Sequence, residues 1–481
     1  MNKIENYPQS PKKLWNIFYD FTQTPRPSKN EEKIRKYLLD LARDRGLEHN
    51  IDEAHNIVMY VPGTKGRESE DSLIIQNHVD MVTDAVQGKV FNFNDEPLEL
   101  EVISGWLKAK GTTLGADNGI GCACALAILF EEDISHPPLE LLFTADEETG
   151  LTGAQGLDPK MLKSKRMLNL DTEDWGSFFI GCAGGLGYEL TNDFDLKEST
   201  YANFYKIEVE GFIGGHSGLN IDEQRANAIK VLNKILSELG DIEVSEFRSG
   251  KAHNIIPRTG FVNFYSNLDL NSIQSTLKAI REEYCGFLPV DDQDFKFSVE
   301  SIKDNQALAL SNIDSKRFLN FIELFPNGVH AMDLGSNKEI VSCSNNLAKV
   351  LFVNGKAYAL TSVRFFDRNE AKTVERELTA LGSLTGFKVQ KNSEYASWKP
   401  VRENKMLGIL IDTYRGLFKQ EPEITAIHAG LECGIIKDKL GEMDVCSFGP
   451  TIEGAHSPDE RVHIESVGHF WILLKEVLKN I

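Results

Sequence analysis

Five short segments bring histidines and carboxylates into patterns that could do chemistry. In Gln76-Asn77-His78-Val79-Asp80 an imidazole precedes an acid by two residues. An acid so placed can take the ring's second N–H and fix the tautomer that binds a metal. Gly115-Ala116-Asp117-Asn118-Gly119-Ile120-Gly121 sets Asp117 among glycines, which permit close backbone approach. Thr144-Ala145-Asp146-Glu147-Glu148-Thr149-Gly150 carries three consecutive acids, which repel one another unless a cation or a proton intervenes. One of its glutamates can bind metal while its neighbour works as a base. Asn169-Leu170-Asp171 and Gly454-Ala455-His456-Ser457-Pro458-Asp459-Glu460 add a further acid and a further histidine.

Each segment alone has a plainer reading. Asp117 could be a helix N-cap, Asp171 a turn starter, and the Glu147–Glu148 pair a solvated loop. His78 and His456 could be surface histidines. Together they say more. Two histidines and three carboxylates form a hard-to-borderline donor set that suits zinc, cobalt or manganese. Two cations about 3.5–4 Å apart need a bridging carboxylate and two further ligands each. The segments supply that number and leave one acid for catalysis.

The elements that must position these residues can be read from hydrophobic patterning. Ile57–Val61, Leu73–Ile75, Leu139–Phe143 and Met167–Leu170 read as buried strands, and 118–130 as a buried helix between two of them. Three of the acidic segments directly follow such strands. Ligands of open α/β sheets bind beyond the carboxyl ends of strands. Leu14, Ile17, Phe18 and Phe21 recur at helical spacing, and Ser28-x-x-Glu31 has the pattern of a capping box opening a second helix. Near residue 188 the texture changes. From 204 to 398 strands and helices, among them a helix over 223–239, suggest an α+β domain of two related βαββαβ halves, with an Asn354-Gly355 hairpin turn. After Trp398 the α/β texture resumes: a helix over 406–418, strands at 424–427 and 444–447, and a closing amphipathic helix with Ile464, Val467, Trp471, Leu474 and Leu478 on one face. The reading is one discontinuous domain, 1–188 plus 399–481, interrupted by an insert over 189–398.

Bulk properties exclude several functions. The 481 residues carry a net charge of −20, the wrong sign for a nucleic-acid binder or for an anionic membrane surface. Seven scattered cysteines without a CxxC fit a reducing compartment, and the N-terminus lacks the apolar stretch of a signal peptide, so a cytoplasmic protein is expected. Gly181-Cys-Ala-Gly-Gly-Leu-Gly187 is glycine-rich but matches no nucleotide fingerprint.

In this order the segments resemble the zinc aminopeptidase-like family that contains carboxypeptidase G, aminoacylase and carnosinase-type dipeptidases. The likeness covers nearly the whole chain and is greatest to the aminoacyl-histidine (Xaa-His) dipeptidase branch. Gly111-Thr-Thr-Leu-Gly-Ala-Asp-Asn-Gly-Ile-Gly121, Gly181-Cys-Ala-Gly-Gly185, Ile427-His-Ala-Gly-Leu-Glu-Cys-Gly434 and Gly454-Ala-His-Ser-Pro-Asp-Glu460 carry it. The resemblance implies a zinc-peptidase-like mixed sheet flanked by helices, with an inserted α+β lid domain. It implies that Asp117 bridges two metals, that His78 and Asp171 complete one site, and that Glu148 and His456 complete the other. Glu147 would be the general base, with Asp80 orienting His78. His216 would stabilise the oxyanion, in its own or a partner subunit's site. Asn254 and Arg364 would hold the substrate carboxylate or polarised carbonyl, and Gly430, in a catalytic-domain loop, would line the same pocket. Related sequences often have arginine where this chain has His253, which bears on local substrate contacts.

The expected reaction is hydrolysis of small dipeptides, aminoacyl-histidine (carnosine-like) ones above all. A water bridging the metals, its pKa lowered toward about 7, would lose its proton to Glu147. Glu147 would then carry that proton to the leaving amine. The resemblance implies two divalent ions per chain, zinc first and cobalt or manganese as substitutes, and a homodimer through the lid. The rival readings are an N-acyl amino-acid amidohydrolase on the same metal pair and a non-catalytic metal or peptide binder.

Overall fold

The structure, a computed structural model, describes residues 4–303, 307–333 and 340–481. The chain divides into two compact bodies. The first comprises residues up to Cys182, Trp398–Ala426 and Leu431–Ile481; the second comprises Ala183–Ser397 and Ile427–Gly430.

An eight-stranded sheet organises the first body. Its order is Glu48–Ile51, Ile57–Val61, Leu139–Thr144, Leu73–His78, Arg166–Asn169, Asp444–Ser447, Ser177–Cys182, Glu423–Ile427. The four strands Leu139–Thr144, Leu73–His78, Arg166–Asn169 and Asp444–Ser447 run parallel, so their carboxyl ends lie side by side. Leu73–His78 and Leu139–Thr144 are buried at every position, as parallel strands covered on both faces must be. Helix Lys12–Gln23 buries Leu14, Ile17, Phe18 and Phe21 against this core, and helix Ile464–Asn480 buries Val467, Trp471, Leu474 and Leu478. A small second sheet pairs Ile452–Glu453 with Arg461–His463, and the latter with Trp106–Ala109. The His456 loop is thus the tip of a hairpin anchored beside the Asp117 segment.

Two sequence expectations change here. Ser28 and Glu31 form no capping box. The second helix spans Glu32–Asp44 with no side-chain cap, and Ser28 Oγ donates instead to Asp80 Oδ2 at 2.8 Å. The helix expected from residue 223 starts at Ala228, where the Asn227 side chain accepts the Ile229 N–H.

The second body is built on an antiparallel sheet ordered Lys296–Ser301, Asn203–Glu210, Gly260–Ser266, Ile242–Ser249, Ile340–Val353, Lys356–Phe365, Gly184–Asp193, Lys388–Tyr395. Four helices (Ala228–Leu239, Leu270–Cys285, Asn312–Leu324 and Arg368–Thr385) share its apolar core. Two βαββαβ halves are present, each with the first strand flanked by the third and fourth. They are not consecutive. The first strand of one half, Gly184–Asp193, precedes the entire other half. That strand begins with the glycine-rich run, whose composition reads as loop. Its glycines serve packing: a Cβ on Gly185 would lie 2.3 Å from the Tyr395 ring, and one on Gly184 2.7 Å from the Ser397 nitrogen. Asn354 and Gly355 both take positive φ, as the hairpin expectation requires.

All seven cysteines are free thiols. Among the described residues no helix is long and apolar enough to cross a membrane.

Candidate metal centre

The parallel strand ends deliver three of the expected segments to one place. His78 closes its strand, Glu147 and Glu148 follow Thr144, and Asp171 follows Asn169. The remaining two arrive from outside the sheet. Asp117 lies in the first turn of helix Ala116–Ala127 with non-helical ψ of 115°, and the Asp117–Asn118 peptide is cis. It is no N-cap: its carboxylate points at two imidazoles. Oδ1 lies 2.9 Å from His78 Nε2, and Oδ2 lies 3.2 Å from His456 Nε2. His78 Nε2 is also 3.3 Å from Asp171 Oδ1, and His456 Nε2 is 3.0 Å from Glu148 Oε2. Two ligand groups result, His78–Asp117–Asp171 and Asp117–Glu148–His456, each able to bring its donor atoms within 4.8 Å of one another. They share one carboxylate. Glu147 stands beside both, grouped with His78 and Glu148.

Asp80 backs this cluster. Oδ1 is 3.3 Å from His78 Nδ1 and accepts the Glu147 N–H at 3.0 Å, while Oδ2 accepts the Glu148 N–H at 3.2 Å. One buried acid therefore orients a histidine and the following acidic loop together. Three further residues escaped the sequence reading. Arg26, fully buried, donates to the carbonyls of Val79 (2.9 Å), Asp80 (2.7 Å) and Gly115. Glu460 accepts N–H groups of Leu114 (2.7 Å), Gly115 (2.9 Å), Ala116 (2.7 Å) and Asp117 (3.3 Å). Ser28 completes the Asp80 shell. Arg26 lies between Pro25 and Pro27, and Glu460 ends the Gly454–Glu460 loop; neither has a partner near it in sequence that would signal its role. Gly115 and Gly119 leave room for Arg26: a Cβ on either would meet its Nη2 at 2.4 or 2.6 Å.

The electrostatics call for cations. Burial pushes Glu148 up to about 7, with the Asp117 charge adding, and raises Asp171 to about 6 against the pull of His78. Burial also drives Glu147 well above the ordinary carboxylate range, with Glu148 and Asp171 adding. Glu173, unassigned in the sequence reading, is raised to about 9 by burial and by Asp117. Burial alone would lower His78, but Asp171, Asp117 and Asp80 outweigh it. Bonds to Asp117 and Glu148 lift His456 to about 11. Asp117 is instead held down, since the two imidazoles overcome its burial. Protons must otherwise hold together a pocket so rich in acids; divalent cations neutralise the same charge without them. Glu148 Oε1 and Asp171 Oδ1 are buried with no hydrogen-bond partner among the described residues. The donor set and these orphaned oxygens fit a pair of borderline cations. A further acidic group, Glu31–Asp80–Asp146, is engaged elsewhere, by Arg35, Ser28, Thr149 and Thr152.

The second body gathers its own polar cluster. His216 Nδ1 accepts N–H groups of Gly218 (3.3 Å) and Leu219 (3.1 Å), so the neutral ring carries its proton on Nε2. That atom lies 3.2 Å from Arg364 Nη2, another donor. One anionic oxygen could accept from both. Arg364 also donates to Ser217 Oγ at 3.3 Å and to Tyr395 Oη at 3.2 Å. His428 Nε2 meets Ser344 Oγ at 2.7 Å, and burial with the nearby Arg364 charge lowers this imidazole to about 3. Asn254 enters through its backbone, its carbonyl accepting the Ser217 N–H at 2.8 Å. His253 is lowered by burial and then by the Arg364 charge. Gly430, expected in a catalytic-domain loop, groups with the second body: Ile427 and Ala429 carbonyls accept the Ala183 N–H at 3.1 and 2.9 Å, which ties the 427–430 segment to that body's first strand.

Fold and site together define a class: a mixed α/β protein whose strand ends gather two sets of side chains that could hold a pair of cations, with a further acid beside them. The chain belongs to peptidase family M20/M25/M40, whose model matches residues 74–480. It is 35% identical to the cytosol non-specific dipeptidase of Escherichia coli (strain K12) over 98% of both chains. The crystal structure of aminoacylhistidine dipeptidase from Vibrio alginolyticus aligns at a TM-score of 0.85 and 34% identity, covering 100% of this chain and 98% of that one. A tripeptidase structure from Staphylococcus aureus aligns at a TM-score of 0.56 and 18% identity over 97% of both chains, a likeness of fold alone.

Proposed function

We propose that the protein is a metal-dependent dipeptidase, with aminoacyl-histidine dipeptides among its substrates. The observation that carries this reading is Asp117, whose two oxygens face separate imidazole–carboxylate groups with Glu147 at their side. The relatives named for dipeptide and aminoacylhistidine hydrolysis support the substrate class. His78, Asp117 and Asp171 would hold one ion, and Asp117, Glu148 and His456 the other. Zinc is the first expectation, with cobalt or manganese able to replace it. When bound, such a pair supplies Lewis acidity and makes a water nucleophilic near neutral pH.

The chain's own residues do the rest. Glu147 takes the proton from the attacking water and returns it to the leaving amine. Asp80 holds His78 in its ligating tautomer. In the second body, read as a lid domain over about 189–398, the Nε2–H of His216 would donate to the oxyanion. Arg364 would grip the substrate's terminal carboxylate, with Asn254 and Gly430 lining the same subsite. The cytosolic relative supports a cytoplasmic location, and a lid-mediated homodimer is the expected assembly.

Glu147→Gln tests the core of this reading. The variant should keep its metal by elemental analysis and lose about 10²–10⁴-fold in kcat on a carnosine-like dipeptide. Turnover near wild type removes Glu147 from the base role. A panel of dipeptides against N-acetyl amino acids tests the substrate class: preference for the latter would replace dipeptidase with amidohydrolase.

A further inference from the structure

Directly beneath the ligand row lies a second row of side chains that the reaction does not touch. Gln76 stands two residues before His78, on the same face of its strand. Asn169 stands likewise before Asp171, and Thr144 closes the strand that leads to Glu147. With Ser447 and Glu432 these residues form one fully buried network. Gln76 Nε2 donates to Glu432 Oε2 at 2.6 Å, and Thr144 Oγ1 donates to the same oxygen. Asn169 Nδ2 donates to Gln76 Oε1 at 2.6 Å, and Ser447 Oγ donates to Asn169 Oδ1. The chain of bonds crosses four adjacent parallel strands and ends on the first turn of helix Glu432–Leu440.

Glu432 is the node. Its Oε2 takes two donors from two different strands, while the buried Oε1 has no hydrogen-bond partner among the described residues. Burying an acid with one oxygen unsatisfied is unfavourable, and an apolar side chain would fill the same volume without that cost. What Glu432 gains is placement. A sheet ladder sets register in whole residues, whereas metal geometry responds to displacements of about 0.5 Å.

We propose that Glu432 is a positioning residue for the metal centre. It ties the strand bearing His78 to the strand leading to Glu147 and Glu148, and through Gln76 and Asn169 to the strand leading to Asp171. This rests on the reading of that centre given above.

The test titrates metal-free wild type, Glu432→Ala and Glu432→Gln with cobalt(II) chloride, following the visible d–d spectrum. Melting temperatures of the metal-free proteins, and kcat and KM for a dipeptide, are measured in parallel. Glu432→Ala should bind cobalt at least about tenfold more weakly, with an altered band, and lose kcat by a similar factor at nearly constant KM. Glu432→Gln, whose amide oxygen can accept the same two bonds, should recover affinity and kcat to within about threefold of wild type. An alanine variant that only melts lower, with spectrum, affinity and kcat intact, overturns the proposal. So does a glutamine variant as impaired as alanine. If Glu432→Ala does not fold, Thr144→Val, which removes one of the two donors, decides: weakened cobalt binding supports the role and unchanged binding overturns it. Wild type that binds two cobalt ions yet cleaves no dipeptide would defeat the proposed activity, while the cobalt titrations still decide the role of Glu432.

Discussion

Replacing Asp80 by asparagine should weaken metal binding far more than the loss of a residue that touches no ion would suggest. Both carboxylate oxygens are occupied. One faces His78 Nδ1 and the Glu147 N–H; the other faces the Glu148 N–H and Ser28 Oγ. Asparagine has one acceptor oxygen. Turned one way, its amide NH2 confronts the Glu147 N–H and the His78 ring. Turned the other way, it confronts the Glu148 N–H, although the Ser28 hydroxyl can rotate to accept. At least one buried N–H is left unpaired, which costs about 1–3 kcal/mol. Losing the acid that orients a metal-binding histidine lowers affinity by about 10–100-fold, or about 1.4–2.8 kcal/mol. The two costs describe one disturbed loop and overlap, so the expected loss is about 10–100-fold rather than their product. Calorimetric titration of the metal-free protein with zinc chloride measures it. Ser28→Ala is the control: it removes one donor but leaves both N–H groups satisfied, and should stay within about threefold of wild type. Zinc affinity of Asp80→Asn within twofold of wild type would refute the reasoning, since the buried carboxylate would then be orienting nothing.

Three other outcomes are expected. Asp117→Ala removes the acid that the two proposed ligand groups share, so elemental analysis should find fewer than two zinc ions per chain, whereas a full complement would mean that Asp117 bridges nothing. Metal-free protein should melt at progressively lower temperature as pH rises from 5 to 9. Glu148 and Asp171, raised to about 7 and 6, keep protons that the unfolded chain releases above about 4, so their contribution is complete below that pH and lost as pH climbs through the raised values. His78 and His456, also raised, act in the same sense at higher pH, whereas zinc needs deprotonated ligands, so the melting increment on adding zinc should grow over the same range. A flat or rising melting temperature for the metal-free protein would contradict this. Gly218→Ala would put a Cβ 2.0 Å from the His428 carbonyl and 3.0 Å from the Arg364 side chain; it should destabilise the second body by about 1–3 kcal/mol in urea unfolding, and no change would mean that the loop yields freely.

The residues most legible in the sequence were those whose chemistry is local. His78, Asp117, Glu147, Glu148, Asp171 and His456 stand in short polar segments, three of them after apolar strands, and the structure brings all six together. The residues that hold them were not legible, because their partners are distant in sequence. Arg26 acts on a carbonyl 89 positions away, Glu460 on N–H groups 343 to 346 positions away, and Glu432 on Gln76 across 356. Nothing in a capping-box spacing shows that Ser28 will bond to Asp80 instead. The same limit explains the strands that were missed. Gly184–Asp193 carries its glycines where a neighbouring strand packs closely, and local propensity sees only the glycines.

The long-range contacts also explain why the two off-sheet ligands can be as well placed as the three that follow strand ends. A strand end is fixed by its neighbours' hydrogen bonds, but Asp117 has no such ladder. Instead the Gly115 residue beside it is gripped from both sides: Arg26 donates to its carbonyl and Glu460 accepts its N–H. Both charged groups are buried, and burial of opposite charges is weak evidence for stability, since well-packed apolar side chains often do as well. Their placement is better explained by what they position. Glu460 closes the His456 loop as well as holding the Asp117 backbone, so one carboxylate sets the spacing between the shared acid and the histidine that faces its second oxygen. A metal site spread over five segments is then held by the sheet together with buried side chains that reach across the sequence, Asp80, Arg26 and Glu460 among them.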